Sequence, residues 1–453
     1  MSRNLGKRVL GCFAAAVALT SLTALAGLVE AAPAAQADKI VVNEEAYRLP
    51  YAGPEEAFRK GILPGYGSSL ALKEVRSDGS LDFWCITDRG PNGDIPTYVK
   101  NGKKVPGKFF PTPDFTPSIG ILRVRDGKAS LVRSLPLRNA KGQRISGKVI
   151  PRGAIGSTGE VALDFSMKDL GTDTEGLDTE GIAVGKDGNL WLCDEYGPFL
   201  LKVDKRGKIL AKYGPGAGLP AILAQRVPNR GFEGVAVDEN GYVYGMVQSP
   251  LDVNGKTKKT ARYTRIVRLD PDTKEVTMFA YPVDTGYKNF GAAKLGDITS
   301  IGNGQFLIIE QGKQHGAMQN LVYKVDLRNA TPVDESGSLE QGMLPQGFRP
   351  ATKELVLDLR AHGWNIEKAE GLALLPDRRT LAVVNDNDFG IAVGINDPDH
   401  ANTTLDDYQY DAGTGKTIFK KDGTVSRVQF YLTQNAPEEQ QDYICFFSLD
   451  HKL

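Results

Sequence analysis

Short runs of alternating or wholly apolar residues, broken by Asp-Gly and Asn-Gly turns, fill the chain from about residue 69 onward. Period-two alternation bounded by turn residues marks β-strands, and helical periodicity is scarce throughout. One unit recurs. Glu180-Gly-Ile-Ala-Val184 passes through Asp187-Gly-Asn189 into Leu190-Trp-Leu-Cys-Asp-Glu195. Glu233-Gly-Val-Ala-Val237 passes through Glu239-Asn-Gly241 into Tyr242-Val-Tyr-Gly-Met-Val-Gln248, and Glu370-Gly-Leu-Ala-Leu374 leads to Thr380-Leu-Ala-Val-Val-Asn-Asp386. Gly296-Asp297-Ile298 with Phe306-Leu-Ile-Ile-Glu310 is a weaker copy. Ser69-Leu-Ala-Leu72 with Phe83-Trp-Cys-Ile-Thr-Asp88 is another, without the glutamate.

Each unit continues into a second strand pair, such as Leu200–Asp204 with Gly207–Leu210 and Arg265–Asp270 with Glu275–Phe279. Four strands per unit is the make-up of a propeller blade, and the units start at 180, 233, 297 and 370, separated by 53, 64 and 73 residues. The pattern predicts an all-β chain, a six-bladed β-propeller in which residues from about 126 to 170 supply the blade of most degraded pattern. Pro220 to Val227 is expected to form a short helix, and Pro106 to Pro117 an inter-strand loop.

A repeat arranged around a channel turns a recurring acid into a ring, because each copy occupies the same place in its blade. Glu180, Glu233 and Glu370 open blades, while Asp88, Asp194, Glu195, Gln248, Glu310, Asp386 and Asp388 end neighbouring strands. Converging carboxylates raise one another's pKa unless a cation neutralises them. A hard divalent ion with oxygen ligands meets that need, and calcium suits it best because its six to eight flexible ligands can come from different blades. The predicted metal ligands are Glu180, Glu195, Glu233, Glu310, Glu370 and Asp386. Arg89, Lys294, Lys313 and His315 alternate with these acids, an arrangement suited to an anionic substrate or to salt bridges alone. A structural role for Glu-Gly, as acceptor for neighbouring backbone N–H groups, stands beside the metal reading.

Composition narrows the function. Fifty-five Lys+Arg balance 55 Asp+Glu, so no basic footprint for nucleic acid exists. Four histidines without an H-E-x-x-H spacing, no C-x-x-C and no G-x-S-x-G argue against a zinc or conventional serine hydrolase. Cys85 and Cys193 lie in apolar strand-like runs and are read as buried small hydrophobes.

The N-terminus reads as an export signal: Arg3, Lys7 and Arg8 precede an uncharged stretch from Val9 to Val29, and Ala35-Gln36-Ala37 offers a cleavage site. The expected division is a signal peptide over residues 1–37 and one propeller domain over 38–453, periplasmic or secreted, with no membrane association after cleavage. A 21-residue apolar run is also long enough to be retained as an anchor.

Asp178-Thr-Glu-Gly-Ile-Ala183 with Cys193-Asp-Glu-Tyr-Gly-Pro198, Asn229-Arg-Gly-Phe-Glu-Gly234 with Gln248-Ser-Pro-Leu251, and Ala369-Glu-Gly-Leu372 with Asn385-Asp-Asn-Asp-Phe389 resemble the phytase-like family ascribed esterase-like activity. Thr87-Asp-Arg-Gly-Pro91 resembles its N-terminal signature, and the likeness runs from about 60 to 395. The resemblance implies an exported bacterial β-propeller related in architecture to calcium-dependent alkaline phytases and to lactonase-type propellers. Gln311 stands where relatives often carry a basic residue, with Lys313 a substitute for it.

Together these readings predict a calcium-assisted hydrolase of phosphoric esters acting on a small anionic substrate. Glu180, Glu233, Arg89 and Lys294 are its catalytic candidates, and Arg89, Lys294, Lys313 and His315 its substrate-binding ones. The alternatives are a non-catalytic, metal-stabilised propeller that binds a ligand or partner, and a carboxylic esterase or lactonase.

Overall fold

The computed structural model describes residues 38–453, so the predicted export segment lies outside the described residues. Antiparallel sheets of four strands follow one another along the chain. Blade one comprises Ser69–Val75, Leu81–Ile86, Ser118–Arg125 and Lys128–Pro136, and blade two Thr179–Val184, Leu190–Asp194, Phe199–Val203 and Ile209–Pro215. Blade three comprises Phe232–Val237, Val243–Val247, Tyr263–Leu269 and Val276–Pro282, and blade four Lys294–Gly302, Gln305–Gln314, Ala317–Asp326 and Thr352–Asp358. Blade five takes Gly371–Leu374, Thr380–Val384 and Tyr443–Ser448 from the end of the chain, and its fourth strand, Asp38–Asn43, from the beginning. The first strand of each blade touches that of the next, and blade five returns to blade one, so the sheets close into a propeller.

Among the described residues five blades form this ring, not the six that the repeat count predicts. Lys128–Pro136 pairs along its length with Ser118–Arg125 and completes blade one. Between it and blade two, the short strand Val161–Leu163 pairs with Gly107–Phe109 and opens no blade. The predicted helix near Pro220 is a single 3-10 segment, Ala221–Gln225.

The recurring Glu-Gly has a steric cause. A Cβ on Gly181 would stand 2.9 Å from the Val235 nitrogen, and one on Gly234 would stand 2.8 Å from the Ile298 nitrogen. Only glycine lets adjacent inner strands approach so closely. In blade four the matching position is Asp297, whose buried carboxylate accepts from Ser69 Oγ (2.8 Å), Leu372 N (3.0 Å) and Ile298 N (2.8 Å), joining blades one, four and five. Between blades, Trp191, Val235 and Phe232 belong to one buried cluster, and Tyr244, Ile298 and Phe306 to another. Burial of each such side chain contributes roughly 1.5–3 kcal/mol. Cys85, Cys193 and Cys445 are buried free thiols.

Two long connections, residues 87–117 in blade one and 385–442 in blade five, each join a second strand to a third. They pair with each other: Thr97–Lys100 lies parallel to Tyr408–Asp411, with Tyr98 stacked on Tyr410 at 5.7 Å. The result is a cap carried by the two blades that meet where the ring closes.

Candidate metal centre

The inner strands carry two facing positions per blade. Side chains two residues apart on a strand share a face. Asp178 and Glu180, Lys368 and Glu370, and Glu233 alone line one cavity of about 260 Å³, and Lys294 joins them from blade four. A further position, just past the end of the second strand, adds Asp88, Glu195, Gln248 and Asp386. Asn92 and Lys108 reach the same space from the cap, as does Asp388.

Eight carboxylates and four cationic side chains therefore share this small space. Oxygens of Glu180, Glu233 and Glu370 lie within 4.8 Å of one another, as do those of Asp88, Asp178 and Glu180. All five residues are buried, and Asp178 Oδ2 and Glu233 Oε2 have no hydrogen-bond partner. Burial, reinforced by Asp178 and Glu233, pushes Glu180 well above the usual carboxylate range. Burial likewise raises Glu195, with Glu233 and Asp178 adding to the effect. Glu233 is pushed up to about 7 by burial against the pull of Lys294. Asp386 is the exception: despite burial, the Lys368 ammonium at 2.5 Å holds it low. Clustered oxygens with orphaned lone pairs and excess negative charge fit a hard divalent cation such as calcium.

Of the predicted ligands, Glu180, Glu195, Glu233, Glu370 and Asp386 meet at this cavity, but Glu310 does not. Glu310 pairs with Leu295 and turns away from the cavity between blades three and four, where it accepts from Tyr281 (2.7 Å) of blade three and Lys353 (2.6 Å) of blade four. Its neighbour Gln311 has the inward orientation and donates to Glu370 at 3.4 Å. Successive strand residues face opposite ways, so the acid falls on the wrong side. Asp194 behaves in the same way beside Glu195, accepting from Asp178 N at 2.6 Å.

The predicted cations also divide. Lys294 lines the cavity without a hydrogen bond or ion pair among the described residues. Arg89 lines it too, but its guanidinium is engaged by Glu160 (3.2 Å), Asn229 (3.1 Å), Asn92 (3.3 Å) and Asp178 (3.6 Å). That network holds the guanidinium at the cavity wall beside Asp178. Lys313 and His315 are exposed at the tip of the hairpin formed by Gln305–Gln314 and Ala317–Asp326, and neither lines the cavity. The strands run past the ring before turning, which carries both residues away from it.

Asp178, Lys368, Asn92, Lys108 and Asn229 line the cavity but are absent from the predicted site. Asp178 and Lys368 had a readable signal, since each stands two residues before a blade-opening glutamate. Lys108 and Asn229 come from connections with no such periodicity.

A model of the phytase-like family, described as esterase-like activity of phytase, matches residues 68–389. An uncharacterized secreted protein of Arthroderma benhamiae is 28% identical over 253 residues, covering 46% of this chain and 48% of the relative. The chain thus spans about half the length of the curated relative it matches. Solved structures similar to it include virginiamycin B lyase from Staphylococcus aureus, at 14% identity and a TM-score of 0.28 over 71% of this chain and 90% of that one. The PQQ-bound aldose sugar dehydrogenase of Streptomyces coelicolor shows 12% identity and a TM-score of 0.28 over 89% of this chain and 100% of that one. A gluconolactonase of Xanthomonas campestris shows 10% identity and a TM-score of 0.24 over 75% and 97%.

Proposed function

The chain belongs to the phytase-like family whose model it matches, and from that premise we propose that it is an exported, calcium-assisted hydrolase of phosphoric esters. The observation that carries this reading is the set of Glu180, Glu233 and Glu370 oxygens within 4.8 Å of one another, in a cavity that Lys294 also lines and where Glu233 Oε2 is buried without a hydrogen-bond partner among the described residues. Glu180, Glu233 and Glu370 would hold the ion, with Asp88 and Asp178 adjoining it. Bound there, calcium supplies Lewis-acid polarisation of an ester oxygen and a more acidic water.

The chain's own groups do the remainder. Lys294 offers an ammonium with no ion pair among the described residues to an anionic oxygen of the substrate, and charge building on that oxygen strengthens the contact. Arg89 acts at one remove, holding Asp178 through its backbone N–H (3.1 Å) and its guanidinium. Gln248 donates to Glu195 at 3.1 Å and fixes its carboxylate at the cavity wall. Lys368, bound to Asp386 and to Asp388 at 2.8 Å, neutralises the side of the cavity nearest the cap. Export is supported by the N-terminal address and by the description of the Arthroderma benhamiae relative as secreted.

The test is a substrate panel of phosphate monoesters, carboxylic esters and lactones, each assayed with calcium and with chelator. Calcium-dependent turnover confined to phosphate esters is the expected result. Turnover of carboxylic esters or lactones that survives chelation would assign the site to the metal-free esterase reading instead.

A further inference from the structure

The ring closes through strands from opposite ends of the domain. Asp38–Asn43 pairs antiparallel with Tyr443–Ser448, and the seam between blades five and one adds only Val42 beside Ala129 and Asn43 beside Ser130. Glu44 follows the first of these strands and Asp442 precedes the second. Both are buried, at 1% and 2% exposure. Neither has an ion-pair partner among the described residues, and Glu44 Oε1, Glu44 Oε2 and Asp442 Oδ1 all lack a hydrogen-bond partner. The fourth oxygen, Asp442 Oδ2, accepts from Tyr66 N at 2.6 Å.

Gly67 packs against these groups. A Cβ on it would stand 1.7 Å from the carbonyl oxygen of Asn385 and 2.9 Å from Asp442 Oδ1, so only glycine lets the loop before blade one approach them this closely. Burial pushes Glu44 up to about 8, the direction expected of a buried carboxylate without a counter-ion. A proton shared between the two carboxyl groups would satisfy two of the three orphaned oxygens. The two carboxylates lie close enough that Glu44 adds to the upward push of burial on Asp442, and a cation beside them would offset both charges.

We propose that Glu44, Asp442 and the Asn385 carbonyl form a second cation site, separate from the central cavity, whose calcium ion staples the seam of the propeller. Two carboxylates match the ion's charge, and all-oxygen donors from separate connections suit its coordination. The ion would join the connection after the first strand, the loop before blade one and the cap connection of blade five. It would act on stability, not on turnover.

The test counts bound calcium in the purified protein after equilibrium dialysis against calcium, and follows thermal unfolding as calcium is added to chelated samples. Glu44→Gln and Asp442→Asn are compared with wild type, and each is also placed in a Glu233→Gln background. Loss of one calcium per chain on Glu44→Gln or Asp442→Asn in both backgrounds is the expected result. Chelated Glu44→Gln should melt no lower than chelated wild type, because one buried charge has gone, while its calcium-induced rise in Tm shrinks. That behaviour separates a lost site from a damaged fold. Unchanged calcium stoichiometry in both seam variants would overturn the proposal. So would a wild-type seam that responds to pH and not to calcium, which would assign the pair a shared proton.

Discussion

Arg89 Nε lies 3.6 Å from Asp178 Oδ2, and Arg89 N donates to the other oxygen of the same carboxylate at 3.1 Å. The two residues come from blade one and the entry to blade two, so one ion pair sets the distance between neighbouring blades at the cavity. Both side chains are buried. Removing one partner of a buried pair leaves an uncompensated charge and costs about 3–5 kcal/mol. Arg89→Met is therefore expected to lower the unfolding free energy by about that amount, read by chemical denaturation. A loss below about 1 kcal/mol would remove Arg89 from this positioning role.

Glu233 has the opposite character, since its Oε2 is buried without a partner. Glu233→Gln preserves shape and removes one charge from a crowded set. The metal-free variant should melt at or above metal-free wild type, while calcium-dependent turnover falls at least about 100-fold, equivalent to about 2.7 kcal/mol of barrier. Equal rates in the two proteins would take Glu233 out of the site.

Lys294→Gln tests substrate charge. Loss of an unengaged ammonium at the cavity should raise KM for phosphate esters and weaken the dependence of kcat/KM on ionic strength, with little change for uncharged carboxylic esters. An unchanged salt dependence would contradict its substrate-binding role.

Asp297 gives the fold a pH dependence of known sign. Burial, against its four hydrogen-bond donors, pushes its carboxyl up to about 8 from an ordinary value of 3.8. Between those values the folded chain holds a proton that the unfolded chain has released, so stability is fullest below the lower value and falls as pH rises through the upper one. Asp297→Asn should flatten that part of the Tm–pH curve relative to wild type. Parallel curves for the two proteins would contradict it.

Burial also raises the thiols of Cys85 and Cys193 well above their ordinary range. A disulfide-exchange reagent should leave these thiols unreacted in the native protein and reach them on unfolding. Rapid native-state labelling of either would contradict their place in the blade cores.

The repeat in the sequence located all five inner strands, because each begins a Glu-Gly unit or a recognisable variant of it. The number of blades was less legible. Lys128–Pro136 looks like a new beginning until its pairing with Ser118–Arg125 is seen, and nothing local tells Asp38–Asn43 that its partner is Tyr443–Ser448. Within the site the limit was register. Glu310 and Gln311 are adjacent, and the irregularity between Leu295 and Ile298 makes the inward member unreadable from alternation alone. Lys368 is readable by analogy with Asp178, since each stands two positions before a blade-opening glutamate.

The most direct test of calcium-assisted phosphoester hydrolysis is the initial rate of p-nitrophenyl phosphate hydrolysis by chelated protein as calcium is restored, run in parallel with Glu233→Gln. Saturable activity in the wild type, absent from the variant, is the predicted result. A wild-type rate that is indifferent to calcium, or matched by the variant at every calcium concentration, would contradict a metal-assisted site at the centre of the ring.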